Sequence, residues 1–274
     1  MKKEQSITEG VIWKQLLLFF FPIMLGSLFQ QLYSTVDAII VGRFVGKEAL
    51  AAIGNTGVFI NLLIGFFMGI SSGAGVVISQ YFGAKQDDQV SKGVHTSMVL
   101  AIGGGVIVMI IGILVAPAVL HMMNTPAEIF KQSYDYTKYY FYGAVPCLIY
   151  NIGAGILRAI GDSKRPLYFL IVACFSNIVL DYFFVVILDM GVIGAAIATD
   201  IAQVISAVLV VVYLMKAKEK SYQLFLNKLI VDFRLLKNII RIGVPIGIQA
   251  IMYTVSNMII QTYINGFGTN TIAA

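Results

Sequence analysis

The run Leu16–Val41, LLLFFFPIMLGSLFQQLYSTVDAIIV, decides the fold class. A helix needs roughly 20 residues to cross a hydrocarbon core of ~30 Å, and this run is long enough. Its second half carries Gln30, Gln31, Tyr33, Ser34, Thr35 and Asp37. Hydrocarbon does not tolerate such groups unless they face protein or a wet cavity. Further long apolar runs follow at Ala51–Ile78, Val94–Val119, Tyr139–Ile160, Pro166–Leu188, Val192–Leu214 and Ile242–Ile264. Period-2 alternation, the mark of a membrane barrel, is absent. The expected fold class is all-α: a polytopic membrane helical bundle of about seven transmembrane helices.

The composition agrees. Of 274 residues, 58% are hydrophobic and 12% charged, and mean hydropathy is +0.85. The charged share is about half that of soluble domains. A soluble enzyme, an anchored binding module and a nucleic-acid-binding chain are all excluded. Nineteen Lys and Arg face fourteen Asp and Glu, an excess that in a membrane protein reflects topology. With the N-terminus in the cytoplasm, only Arg43, Lys47, Lys131 and Lys138 lie outside, so that orientation is expected. Lys216–Arg241 holds seven basic residues against Glu219 and Asp232. Phe225, Leu229, Leu236, Ile239 and Ile240 give it an apolar stripe, so it reads as a cytoplasmic connector, an amphipathic helix on the membrane surface. Cys147 and Cys174 lie inside apolar runs, which argues against a disulfide framework. The first run is too long for a signal-peptide core, so no cleaved signal is expected.

The seventh run repeats the first. Pro22-Ile23 recurs as Pro245-Ile246, and Val36-Asp37-Ala38-Ile39-Ile40 as Ser256-Asn257-Met258-Ile259-Ile260. Gly46 with Leu50-Ala51-Ala52 recurs as Gly268 with Ile272-Ala273-Ala274. An even number of spans separates the copies, so the repeat is parallel, about an axis along the membrane normal. The expected organisation is a six-helix lobe at 1–215, a basic cytoplasmic linker at 216–241, and the first helix of a second lobe at 242–274. The repeat leaves two readings: a natural seven-span protein, or, the one expected, a chain shortened from a two-lobe protein, because a lone seventh helix would lack its packing partners.

Asp37, Asp181 and Asp200 lie deep in spans, where each carboxylate costs a few kcal/mol on insertion scales. Gln30, Tyr33 and Asp37 are spaced i, i+3, i+7 and form a polar stripe on the first helix. The competing reading of that stripe is interhelical hydrogen bonding. Asn177 and Asp181 share a face at i, i+4. A carboxylate beside an amide oxygen suits a hard cation or equally a proton site. Asn151 and Thr199 are candidates for further oxygens. Asp200 points about 100° away from Thr199, and its role stays open. Gly65, Gly69 and Gly73 form one small-xxx-small ladder and Gly243 and Gly247 another, favouring close helix packing. Pro22, Pro146 and Pro245 lie where they can kink spans. His95 and His121 sit near span ends, where a solvated imidazole is expected. No His/Cys cluster has metal spacing, and no Ser–His–Asp set is arranged for catalysis.

Four stretches together resemble the MATE (multidrug and toxic compound extrusion) transporters, in the bacterial branch that includes DinF-like proteins. They are Gln30–Asp37 with Val41-Gly42-Arg43; Ser79-Gln80-Tyr81-Phe82-Gly83-Ala84; Leu157-Arg158-Ala159-Ile160-Gly161-Asp162 with Pro166-Leu167; and Gly194-Ala195-Ala196-Ile197-Ala198-Thr199. The resemblance spans the whole chain, which covers part of the family's two six-helix lobes. It implies a cation-coupled antiporter, not an enzyme. Such a protein exports organic, cationic or amphipathic compounds across the cytoplasmic membrane, with H⁺ or Na⁺ as coupling ion and no cofactor. It implies a first-lobe proton or Na⁺ site at Asp37, Asn177, Asp181 and Thr199, with Asn151 nearby and Gln30 and Tyr33 in a substrate cavity. The implied partners are small organic cations, the lipid bilayer, and a second lobe or partner chain; nucleic acid is not among them. A lipid-linked saccharide flippase of related architecture and a transport-inactive fragment are the alternatives. Acids and amides lie deep in the spans while Arg and Lys sit at their ends, which favours cationic cargo.

Overall fold

The computed structural model describes residues 11–265. Lys2, Lys3 and the repeat positions Gly268 and Ile272–Ala274 lie outside these residues. The described chain is all-helical. Its elements are α1 (Ile12–Phe44), α2 (Lys47–Gly83), α3 (Asp87–Met122), α4 (Ala127–Tyr142), α5 (Ala144–Ala159), α6 (Lys164–Asp181), α7 (Gly191–Lys216) and α8 (Phe233–Asn265). Six of these are long and apolar enough to cross a membrane, and α4 with α5, bent against each other, passes the same test as a pair. The bundle expected from the sequence is therefore observed.

Most of the helices outrun the apolar runs at both ends, because polar flanks at the interface continue the helical hydrogen-bond ladder. Between α1 and α2 the chain reverses through Val45 and Gly46. Gly46 has φ +121°, a conformation that a side chain disfavours.

The fourth span departs from the expected single helix. It bends by 51° between α4 and α5 at Gly143. Pro146, one turn on, has no N–H to bond the Tyr142 carbonyl, and glycine weakens a helix at the same place. Residues Ala127–Lys138, outside the expected span, are helical and carry the buried Ile129, Ser133, Tyr136 and Thr137. α6 passes into a π-helical turn at Tyr182–Ile187, directly after Asp181.

α2 is the hub, packed against α3, α4, α5 and α8, while α1 lies mainly on α6, and α7 on α4, α5 and α6. The two glycine ladders meet each other. A Cβ on Gly69 would run into the backbone of Gly247, and one on Gly73 would lie 2.6 Å from both Gly243 N and Ile239 O. The seventh helix thus has a packing partner, contrary to expectation. Its first half seats Leu235 and Ile239 against Ile70, Ala74 and Val77 of α2. Its second half leaves Met252, Tyr253, Ile259, Ile260 and Tyr263 exposed.

The connector is not an amphipathic helix. Residues 217–232 hold one short 3₁₀ turn, Leu226–Lys228. Tyr222 and Leu224 insert among Val90, Val94, Met98 and Leu214, so apolar side chains alternate into the lobe instead of lining a helical stripe. Leu224 N donates to Leu214 O at 3.1 Å, Phe225 N to His95 Nε2 at 3.1 Å, and Asp232 N to Thr96 Oγ1 at 3.0 Å. Asp232 Oδ1 accepts from Arg234 N and Leu235 N and so caps α8. That cap starts α8 at Phe233, ahead of the boundary expected at residue 242. His95 is buried, not solvated; its Nδ1 also meets Ser91 O at 2.7 Å.

Gly69→Ala and Gly73→Ala should lower the apparent Tm in detergent, since overpacking costs typically ~1–3 kcal/mol. Gly57→Ala, whose Cβ would meet nothing within 4 Å, should not lower it, since alanine favours the helix over glycine.

Candidate functional site

Three helices bring together four of the side chains singled out in the sequence. Asp37 of α1 is 6% exposed, Asn177 and Asp181 of α6 are 1% and 0%, and Thr199 of α7 is 4%. Asn177 and Asp181 are stacked one turn apart. Asn177 Nδ2 donates to Thr199 Oγ1 across a long 3.4 Å, and Asp37 interacts electrostatically with Asp181. Asp37 Oδ1, Asn177 Oδ1 and both carboxylate oxygens of Asp181 are buried and accept no hydrogen bond from the described residues. A buried acceptor left without a donor costs ~1–3 kcal/mol, and a charge more. Two neighbouring carboxylates with an amide oxygen and a hydroxyl form an all-oxygen set, suited to protons or to a hard monovalent or divalent cation. Among the described residues no three His, Cys, Asp or Glu side chains cluster as a metal site.

Beside this cluster lies a cavity of about 490 Å³, bounded by α1, α2, α4, α5, α6 and α7. Asn177 and Thr199 belong to its wall as well as to the oxygen cluster. Gln30 and Tyr33 line it, as does Asn151. Asn151 Nδ2 donates to Cys147 O at 2.8 Å, and its backbone carbonyl accepts from Ser71 Oγ at 3.1 Å. Asn151 therefore joins the cavity and anchors α5 to α2, and its bonds lead away from Asp37 and Asp181. The rest of the lining includes Gln31, Asn61, Tyr140, Tyr150 and Gln203, and among the described residues no Lys, Arg, Asp or Glu. It is polar and uncharged, rich in carboxamides and phenols.

Sequence reasoning passed over several of these. Gln203 follows Thr199 by one turn of α7, a spacing that could have revealed it. Asn61 is a lone polar residue in an apolar run. Tyr136, buried on α4, interacts electrostatically with Asp37, Tyr33 and Asp181, yet it lies in a polar stretch outside the expected span and gave no signal. Asp200 faces away from the cluster, toward Gly143.

The fold and site define a polytopic helical membrane protein with buried carboxylates beside a polar intramembrane cavity. The chain belongs to the MatE family, whose model matches residues 22–183. It is 32% identical over 281 residues to the "Probable multidrug resistance protein YoeA" of Bacillus subtilis (strain 168), covering 98% of this chain and 60% of that protein. The chain thus spans about 60% of the length of that curated relative. It is similar to solved outward-facing and inward-facing conformations of a multidrug resistance MATE family transporter of the MOP superfamily. The TM-scores are 0.83 and 0.80, both at 26% identity, covering 91% and 89% of this chain and 56% of each of those chains.

Asp181→Asn removes a buried charge with no donor. It should raise the Tm of the ion-free protein at alkaline pH, by about 2–4 °C for each kcal/mol of strain relieved in a chain of this size class; differential scanning fluorimetry reads this directly.

Proposed function

We propose that this chain supplies the six-helix lobe, the linker and the first helix of a second lobe of a cation-coupled exporter of organic cations or amphipathic compounds in the cytoplasmic membrane. The observation that carries the reading is the set of buried, donorless oxygens of Asp37, Asn177 and Asp181, sharing Asn177 and Thr199 with a polar cavity. The names of the relatives point the same way. The coupling ion, H⁺ or Na⁺, binds at Asp37, Asn177, Asp181 and Thr199, and the cargo binds in the cavity against Gln30, Tyr33 and Asn151. The wall carries no charge of either sign, and the carboxylates of Asp37 and Asp181 beside it favour cationic over anionic cargo, which weighs against a lipid-linked saccharide as substrate. The N-terminus faces the cytoplasm, following the basic residues.

α1 is the element suited to move. Only 11% of its most apolar window is buried, against 44% for α2 and α7, and Pro22 interrupts its hydrogen-bond ladder. It touches α6 through Gly26, which faces Leu167 and Leu170. Ion binding neutralises the repulsion between Asp37 on α1 and Asp181 on α6, and so draws α1 toward α6. Coupling follows because the ion then binds one arrangement of α1 better than the other. A second lobe, in the same polypeptide or a partner chain, completes the path.

The test uses the protein translated from the complete encoding frame, in vesicles with imposed Na⁺ or H⁺ gradients and a fluorescent organic cation as cargo. Wild-type efflux should follow one of the gradients. Asp37→Asn should slow it by at least ~10-fold, the scale of losing a ~1.4 kcal/mol interaction. Efflux at the wild-type rate and ion dependence in Asp37→Asn would overturn the reading.

A further inference from the structure

We propose that Asp200 is a positioning residue of the transport cycle: its carboxylate sets the elbow between α4 and α5 and, through α7, ties that elbow to the ion cluster. The inference rests on the transport reading above and concerns an acid that reading leaves unused.

The fourth span is broken by 51° at one residue, Gly143. Its backbone, φ −79° and ψ 0°, is open to any L-residue, so conformation does not demand glycine there. Space does. A Cβ at Gly143 would run into Asp200 Oδ1, and would lie 2.7 Å from Asp200 Cγ and 3.3 Å from Asp200 Cα. The carboxylate fills the place of the missing side chain and lies against the Gly143 backbone amide, at the start of α5. The Gly143 N–H also donates to Tyr140 O at 3.2 Å, so the carboxylate shares this amide with the last turn of α4 and meets both helices at their junction, where the N-terminal end of α5 favours negative charge. The titratable groups that interact with Asp200 are Tyr136 and Tyr140 of α4 and Cys147 of α5. Neither of the side-chain ion pairs found among the described residues includes it. The amide end of α5 is thus the feature that stabilises its charge, and a proton on Asp200 loosens the elbow.

Thr199, the residue before, points about 100° away around α7 and accepts a hydrogen bond from Asn177. Around both, α7 packs through the buried Ala195, Ala196, Ala198 and Ala202. These short side chains leave little slack, so a displacement of Thr199 by an ion is carried to Asp200 one residue away. One rigid helix then connects the ion cluster to the elbow.

The experiment places spin labels at Lys131→Cys on α4 and Lys164→Cys beyond the inner end of α5, both exposed, in the complete protein in nanodiscs. Cys147 and Cys174 are buried. The label distance is read at alkaline and mildly acidic pH. Wild type should show a pH-dependent shift in that distance. Asp200→Asn should lose the shift and hold the acidic distance throughout. Gly143→Ala, which displaces the carboxylate, should do the same and lose thermal stability, and adding Asp200→Gly should restore that stability. A full shift in Asp200→Asn, no shift in wild type, or no stability rescue in the double variant would overturn the proposal. Gradient-driven efflux measured on the same samples separates the two readings. Normal efflux with a pH-insensitive wild-type elbow refutes only this inference, and a responsive elbow without wild-type efflux refutes only the transport reading.

Discussion

Asp37, Asn177 and Asp181 together hold four buried oxygen atoms that receive no donor from the described residues. In a bilayer this is the constraint on which the rest of the lobe depends. Charged groups in hydrocarbon persist where they face the bundle interior and serve a site, and these meet between α1 and α6. The surrounding packing buries them without supplying a donor from the described residues. α6 changes from α to π geometry directly after Asp181, as helices often do at functional positions. The lobe therefore stores destabilisation at one place, the place that the proposed function assigns to the ion.

Packing in the rest of the bundle offsets this destabilisation. α2 and α8 approach until backbone meets backbone at Gly69–Gly247 and Gly73–Gly243, and close approach maximises dispersion and weak interhelical contacts where no hydrophobic force acts between helices in lipid. Phe59 and Phe141 meet edge to face at 5.6 Å, with Gly112 opening the space for the Phe141 ring. The tightly packed α2 and α7 form the frame, and α1 lies mainly on α6 with most of its surface uncovered. Rigid frame and loose arm are written in the same feature, the distribution of small side chains.

Much of this was legible in the sequence, and the reason is the solvent. Lipid forces every backbone group into a helix, so length and hydropathy locate spans, and the energetic penalty on charge singles out Asp37 and Asp181 without any structure. The i, i+4 pair Asn177–Asp181 and the glycine ladders are local patterns on one helix, and they read correctly as shared faces. What escaped was tertiary. Asn61, Tyr140 and Gln203 are unremarkable until six helices place them on one wall. The space that Gly143 leaves open is filled by a carboxylate 57 residues later in the chain, Asp200. The connector carries an apolar stripe that suits a helix, but Tyr222 and Leu224 find deeper burial in an irregular path. His95 looked solvated because a sequence does not show that the connector returns to cover it.

The shared wall has a consequence for coupling. Asn177 and Thr199 face the oxygen cluster and the cavity at once. An amide has one carbonyl oxygen and one NH₂ group, so an ion that takes Asn177 Oδ1 also fixes what its Nδ2 presents. Asn177 Nδ2 already donates to Thr199, which leaves the carbonyl as the open end. A cargo cation in the cavity and an ion in the cluster would both seek that oxygen. On the transport reading they need no long pathway to sense one another: they compete for one side chain. Such exclusion is reciprocal by thermodynamic necessity, and it is the property an antiporter requires, since each ligand must weaken the hold on the other. The carboxylates then supply affinity for the ion, the uncharged wall supplies tolerance for varied cargo, and the single amide between them supplies the exchange.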